Sequence, residues 1–437
     1  EYKNEIIIID MGIQFPEEET PGIDFIIPNT AYLEEKKANI KGLILTHGHF
    51  DHIGAIPYLI GKIGNPIIYA TGMTKELVLK HQNDFPHAPK LQIIKVNGGD
   101  IVNIGNYFTA EFFGVDHTIP DTAGVIVKTP VGNIVHFADF RIEYNAFGEP
   151  QDLSDYQRIG KMGIHTLMID STNADEPGRS LSEKIVEKNL EDLFIKAEGR
   201  IIITLFSTLL TRIYEILKIA DRIGRKVAIT GRSMKENIEL AQNLGYIKPA
   251  KGLIIPIEEV SKYKDNKVMI FTTGSQGQTN SGLMKILTGE NRHVKIKPSD
   301  MIIFSSSAVP GNERSIQNIK DGLCRQGADV HTSELIDIHS SGHAPAEDLK
   351  TVIKIIQPQF LLPVHGHYFK RAANAKIGAE LGISKDRLML MDNGQVAELG
   401  KNSFKITKET VPAYYVMVDG LGVGDVSEVV LRDRKLM

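Results

Sequence analysis

Residues 46–54 read Thr-His-Gly-His-Phe-Asp-His-Ile-Gly, which places four metal-ligating side chains within six positions. An apolar, β-branched run precedes them and a helix is expected to follow. Alternate residues of an extended segment point the same way, so His47 and His49 converge on one cation. Asp51 and His52 then begin a turn and face a second cation about 3.5–4 Å from the first. Gly48 removes a Cβ where the backbone is crowded. A solvated polar turn has no need of so many first-row metal ligands, so a metal centre between a strand end and a helix start is the strongest constraint on the fold.

Two isolated residues fit the same centre. His117 lies in Gly114-Val115-Asp116-His117-Thr118-Ile119-Pro120-Asp121, and Asp139 follows the apolar run at 134–138. A carboxylate at a strand end can bridge two cations. Alone, His117 would read as a turn histidine and Asp139 as a strand-end cap; the first motif changes both readings.

Composition agrees with imidazole and carboxylate as the ligands. The chain has 14 His and one Cys, Cys324, which excludes a disulfide framework and any thiolate zinc site. Cys324 falls in a helix and is expected to be a small buried apolar group. A reducing, cytoplasmic compartment is expected. With 437 residues, 42% hydrophobic and 24% charged, two or three globular domains are expected, and a mostly disordered chain is excluded. No apolar run approaches the ~20 residues of a membrane-spanning helix. No secretory signal is visible, although the chain begins at Glu1, so a leader or first strand is expected to be missing. A formal net charge of −4 means that nucleic-acid contact must be local.

Apolar runs at 5–9, 43–46, 134–137 and 166–169 read as buried strands. From residue 200, strands at 200–205, 226–230, 267–273 and 301–306 alternate with helices near 210–223, 234–244 and 314–326. That rhythm indicates α/β architecture with parallel pairing. Residues 90–140 instead hold several short strands. A boundary fits at 176–179, where Pro and Gly precede a capping box, Ser180 with Glu183. Beyond residue 340 a helix at 345–356, a strand at 360–364 and a helix at 369–381 follow.

His-x-His-x-Asp-His, a later single His and a later Asp resemble the signature of the metallo-β-lactamase superfamily. Further motifs resemble the β-CASP nucleases, and within them the ribonuclease J family. They are Ile169-Asp170-Ser171-Thr172-Asn173, Gly231-Arg232-Ser233, Thr273-Gly274-Ser275-Gln276-Gly277, Pro310-Gly311-Asn312-Glu313, His339-Ser340-Ser341-Gly342-His343-Ala344 and Pro363-Val364-His365-Gly366. Residues 418–425 resemble the linker before that family's small C-terminal domain, which is expected to be missing or absent here.

The resemblance implies an α/β fold: a metallo-β-lactamase αββα sandwich with an inserted β-CASP α/β domain. Residues 1–178 would form the first part of the sandwich, 179–340 the insert, and 341–437 the returning part. It implies one metal on His47, His49 and His117 and a second on Asp51, His52 and His365, bridged by Asp139. Zinc is expected and manganese is the alternative. Asp51 would also accept a proton from the attacking hydroxide. His343 would be the general acid, oriented by Asp170. His339, Ser340, Ser341, Gly342 and His343 would hold a terminal nucleotide phosphate, joined by Ser306 and by a backbone contact at Thr208, Leu209 and Leu210. The implied activity is a 5′→3′ exonuclease and endonuclease acting on single-stranded RNA in decay and maturation, with preference for a 5′-monophosphate end. A homodimer or homotetramer and no membrane association are implied.

Departures from the family pattern are Phe50 for the usual Glu, Leu209 and Thr211 for the usual Asn and His, Gln278 for Glu and His367 for Glu. None is a ligand, so they bear on substrate choice. His136 is expected to pack in its strand, His367 to face RNA or back the ligands, and His81, His87 and His293 to lie on the surface. Two other functions stay open: a small-molecule hydrolase of the lactonase or thioesterase kind, and an inactive RNA-binding scaffold. The long insert between Asp139 and His365 favours a polymer substrate over the first, and the complete ligand set weighs against the second.

Overall fold

A computed structural model describes residues 1–15, 22–145, 148–309, 311–419 and 422–423. Two sheets lie face to face. One is parallel, in the order Ile6–Ile9, Ile40–Ile44, Ile68–Ala70, Ile93–Lys95. The other is mixed, in the order Phe360–Val364, Ile164–Asp170, Gly132–His136, Ala123–Thr129, Phe108–Gly114, Ile101–Ile104. Side chains alternate across a strand, and Phe108–Gly114 uses both faces. Phe112 enters the layer between the sheets with Ile44, Tyr69 and Val125, while Phe113 enters the outer layer with Val135 and Phe137. Helices Ala346–Ile356 and Tyr368–Glu380 cover that outer layer, and helix Gly72–Asn83 covers the opposite side through Leu77 and Val78. The result is the expected αββα sandwich.

The third large sheet is wholly parallel, ordered Ile254–Ile255, Lys226–Ile229, Val268–Thr272, Ile201–Thr204, Met301–Phe304, Asp329–Thr332. Strand Ile201–Thr204 is buried on both faces, as a parallel strand between helical layers must be. Ile201 and Ile203 meet helices Glu183–Lys196 and Leu210–Arg222, and Ile202 meets Glu313–Arg325. The chain leaves the sandwich after strand Ile164–Asp170, and after its return it adds Phe360–Val364 to the same sheet. These two strands pair in parallel with Asp170 opposite Val364. That register sets the ends of two distant segments side by side.

Several expectations need correction. The helix at the boundary begins at Glu183, and its cap is Ser182, whose Oγ accepts from Lys184 N. The N–H of Ser180 goes instead to Asp348 Oδ2 at 3.3 Å, so tertiary contacts chose between two serines. Cys324 is exposed, because helix Glu313–Arg325 buries Ile316, Ile319 and Leu323 and residue 324 lies one step round from that stripe. His81 is half-buried and bonds the Gly54 carbonyl at 3.1 Å. Val416–Asp419 is a strand paired antiparallel with Phe25–Ile27. The rest of the expected linker, apart from 422–423, and Pro310 lie outside the described residues. Among the described residues, no helix is long and apolar enough to cross a membrane.

Candidate metal centre

The motif at 46–52 straddles the end of strand Ile40–Ile44 and the short helix Phe50–Ile53. Gly48 lets Leu77 pack against the motif backbone, since a Cβ would lie 2.4 Å from Leu77 Cδ1 and push that side chain aside. His47 Nε2 lies 3.1 Å from His49 Nδ1, which lies 3.2 Å from His117 Nε2. Nitrogens about 3.3 Å apart are what a tetrahedral zinc at 2.0–2.1 Å from each would require. His117 is turned by its own Nδ1–H, which donates to the Gly342 carbonyl at 2.7 Å and leaves Nε2 facing inward.

Asp51, His52, Asp139 and His365 form a second group. Asp139 Oδ2 lies 3.6 Å from His47 Nε2 and 3.2 Å from His52 Nε2, so its carboxylate stands between the two groups. His365 Nε2 approaches Asp51 Oδ2 at 3.5 Å. These two side chains are 32% and 41% exposed while Asp139 is 2% exposed, so the centre opens to solvent on their side. A third group shares Asp139 and His365 with Asp170 and His343. His343 Nδ1–H donates to Asp170 Oδ2 at 2.8 Å, and the His343 and His365 rings stack at 5.7 Å.

Asp10 is a supporting residue that the sequence reading missed. Its carboxylate accepts from Thr46 N and Thr46 Oγ1, each at 2.8 Å, and from His52 Nδ1 at 2.8 Å. Thr46 Oγ1 in turn receives the His47 Nδ1–H at 3.0 Å. Thr172 does the same on the other side: it donates to Asp170 Oδ1 at 2.7 Å and receives His365 Nδ1–H at 2.9 Å. The available signal was an acidic residue closing an apolar parallel strand, where sites of open α/β sheets collect. Asp10, Ala138 and His365 have positive φ, 60°, 58° and 51°. Non-glycine residues in that region cost about 1–3 kcal/mol each and gather at functional sites.

The donor set fits divalent cations. His52 Nε2 and Asp139 Oδ2 are buried without a hydrogen-bond partner, and they face each other across the shared space. Burial holds His47 and His117 well below the usual imidazole range and takes His49 down to about 4, so all three are neutral donors at pH 7. Burial also opposes charge on His52 and His365, but the Asp139 carboxylate and its neighbours outweigh it and hold both well above the usual range. Burial opposes charge on Asp139 too, yet His365 and His52 keep it ionised. Positive charge is therefore favoured between these carboxylates, and a metal competes for it with protons.

The expected phosphate-binding residues divide. Ser341 Oγ accepts from Asn173 Nδ2 at 3.0 Å and from the His343 amide at 3.2 Å, which leaves its own proton to donate. Gly342 is packed so closely on His117 and Thr118 that no Cβ fits. Ser306 is 8% exposed, and Thr208 is half-buried. The Ser340 hydroxyl, by contrast, is spent: it donates to the Leu181 carbonyl at 2.6 Å and accepts from Arg141 at 2.7 Å. His339 Nδ1 accepts from Arg212 at 2.6 Å. Leu209 and Leu210 are 3% and 1% exposed, and their N–H groups bond Phe206 and Thr208 within the turn. Ser340, Leu209 and Leu210 are thus parts of the framework. Of the departures, Phe50 is exposed and meets His81 edge-on, while Gln278 and His367 are exposed.

Family models match three stretches: the metallo-beta-lactamase superfamily at residues 3–138, the ribonuclease J beta-CASP domain at 198–323, and the Zn-dependent metallo-hydrolase RNA specificity domain at 327–385. The chain is 35% identical to ribonuclease J 1 of Streptococcus pyogenes over 435 residues, which is 100% of this chain and 77% of that protein. It is 36% identical to ribonuclease J of Thermus thermophilus over 442 residues, again 100% and 77%. It is 34% identical to ribonuclease J2 of Bacillus subtilis over 438 residues, 100% and 78%. A crystal structure of a protein of unknown function from Enterococcus faecalis shares the fold, with a TM-score of 0.62 and 16% identity over 93% of this chain and 95% of that one. With near-full-length identity at this level, the chain belongs to the ribonuclease J family of metal-dependent, RNA-binding nucleases.

Proposed function

We propose that the chain is a two-metal ribonuclease that releases nucleotides 5′→3′ from 5′-monophosphorylated single-stranded RNA and also cuts internally, in cytoplasmic RNA decay and maturation. The observation that supports this best is the sharing of Asp139 and His365 among adjoining ligand groups, with His343 and Asp170 beside them. In this reading His47, His49 and His117 hold one cation and Asp51, His52 and His365 the other, with Asp139 between. Zinc suits the imidazole-rich first group, and manganese is the alternative. Bound divalent cations would supply Lewis acidity that lowers the pKa of water and neutralises phosphate charge.

The chain's own residues supply the rest. Asp51, at the open side, is held ionised against burial by His365 and His52 and accepts a proton there. Asp170 and Asp139 hold the His343 imidazole above its ordinary range against burial, and its Nδ1 is occupied by Asp170. Its Nε2 therefore carries the proton that passes to the leaving 3′-oxygen. The hydroxyls of Ser341 and Ser306 and the backbone at Gly342 and Thr208 would receive the terminal phosphate. The family's dimer or tetramer is the expected assembly.

The test is digestion of end-labelled RNAs bearing 5′-triphosphate, 5′-monophosphate or 5′-hydroxyl ends, with zinc or manganese supplied in turn. Mononucleotide release confined to the monophosphate supports the reading. Equal release from all three, or hydrolysis that survives Asp51→Ala with His52→Ala, overturns it.

A further inference from the structure

The inserted domain joins the sandwich through two crossings that run side by side: outward at 181–183 and back at 339–340. Four charged side chains bind them together. Arg212 comes from helix Leu210–Arg222 of the insert and is 2% exposed. Its Nε donates to Glu183 Oε2 at 3.1 Å and its Nη2 to Glu183 Oε1 at 2.5 Å, which grips the outward crossing. The same Nη2 donates to the Ser340 carbonyl at 3.1 Å, and Nη1 donates to His339 Nδ1 at 2.6 Å, which grips the return.

The sandwich contributes the matching half. Arg141 follows Asp139 by two residues. Its Nη1 donates to Ser340 Oγ at 2.7 Å and lies 3.3 Å from Glu183 Oε1. Its Nη2 forms an off-axis ion pair with Glu143 at 2.8 Å, and Glu143 Oε1 accepts the Glu183 N–H at 3.0 Å. Two guanidinium groups face two carboxylates, so the buried network is neutral. Immediately downstream, the same return segment supplies the Gly342 carbonyl that turns His117 and the His343 that meets Asp170.

We propose that Arg212 is a positioning residue for the metal centre: its planar fork locks residues 339–343 at the crossing, so that placement of the inserted domain and orientation of His117 and His343 are set together. The inference rests on the site reading given above. Lysine cannot stand in, because one ammonium does not reach the four partners, Glu183, Ser305, His339 and Ser340, that the fork serves in fixed directions. Loss of Arg212 alone would leave the half-buried Glu183 with less compensation, which damages the fold by itself. Replacing both partners with apolar side chains removes the fork while keeping the charge balanced, and buried pairs commonly tolerate that.

Arg212→Lys and the double variant Arg212→Met with Glu183→Met are compared with wild type as full chains. Zinc alone is titrated into chelator-stripped protein by calorimetry, and kcat and KM are measured on 5′-monophosphorylated RNA. Both variants are expected to lose about 10–100-fold in zinc affinity or kcat, with KM within about twofold of wild type. A folded double variant with wild-type zinc binding and wild-type kcat overturns the proposal, whatever its thermal stability. If wild type binds zinc but cleaves no RNA, the ribonuclease reading fails, and the zinc titration alone still decides the role of Arg212.

Discussion

His52 Nδ1 donates to Asp10 Oδ2 across 2.8 Å, and that same oxygen receives the Thr46 hydroxyl, which holds His47. One carboxylate at the end of the first strand therefore orients a ligand in each metal group. Asp10→Asn keeps the shape but cannot accept all three donors. The variant should bind metal about 10–100-fold more weakly, measured by metal content after dialysis against a graded chelator. Retention equal to wild type would contradict the assignment.

His343 is proposed as the proton donor, bonded to Asp170 in the third group and absent from the two groups that contain His47 and His52. His343→Gln should lower kcat by about 10²–10⁴-fold while bound metal stays unchanged. A 3′-thio leaving group needs no proton, so an RNA with a bridging 3′-sulfur should restore most of the rate. An equal defect on both substrates would remove His343 from that role.

Gly342 backs directly onto a ligand. A Cβ there would lie 2.5 Å from Thr118 Cγ2 and 2.6 Å from His117 Cε1. Gly342→Ala should displace the His117 ring and weaken the group of three histidines selectively. Cobalt substitution reports this through its visible spectrum; an unaltered tetrahedral spectrum in the variant would count against it.

Stability of the insert depends on a pair remote from the centre. Arg200 and Asp300 are 4% and 0% exposed and bond at 2.8 and 2.6 Å. Asp300→Ala leaves a buried guanidinium unpaired and should cost about 3–5 kcal/mol in urea denaturation. Asp321→Ala breaks the pair with Arg325 at 2.7 Å, but those side chains are 64% and 77% exposed and screened by solvent, so no measurable loss is expected. Similar losses for both would show that burial does not set these values.

The ligands at 47–52 were legible because they sit in one strand–turn–helix unit, whose geometry is local. The apolar runs gave the strands for the same reason. Asp10 was not legible, since nothing in its neighbourhood shows that Thr46 and His52 will fold onto it. Ser182 outranked Ser180 as the helix cap because Glu143 and Asp348, from elsewhere in the fold, engage the two serines differently. Arg212 sits among positions of helical spacing that are all buried, 210, 213, 216 and 217, and that anomaly was the one available sign of its role.

By itself the sequence determined the chemistry on offer: imidazoles and carboxylates without thiolates, on an α/β chain with a long insert. Tertiary structure decided how they meet. The parallel register of Ile164–Asp170 with Phe360–Val364 sets Asp170 opposite Val364, and so brings His365 to Asp51 and Asp139. Tertiary contacts also engaged the Ser340 hydroxyl with Leu181 and Arg141 at the crossing. The physical reason is range: side-chain periodicity encodes contacts within a turn or a strand. The direction of each donor atom is set by burial and hydrogen bonds between segments far apart in the chain.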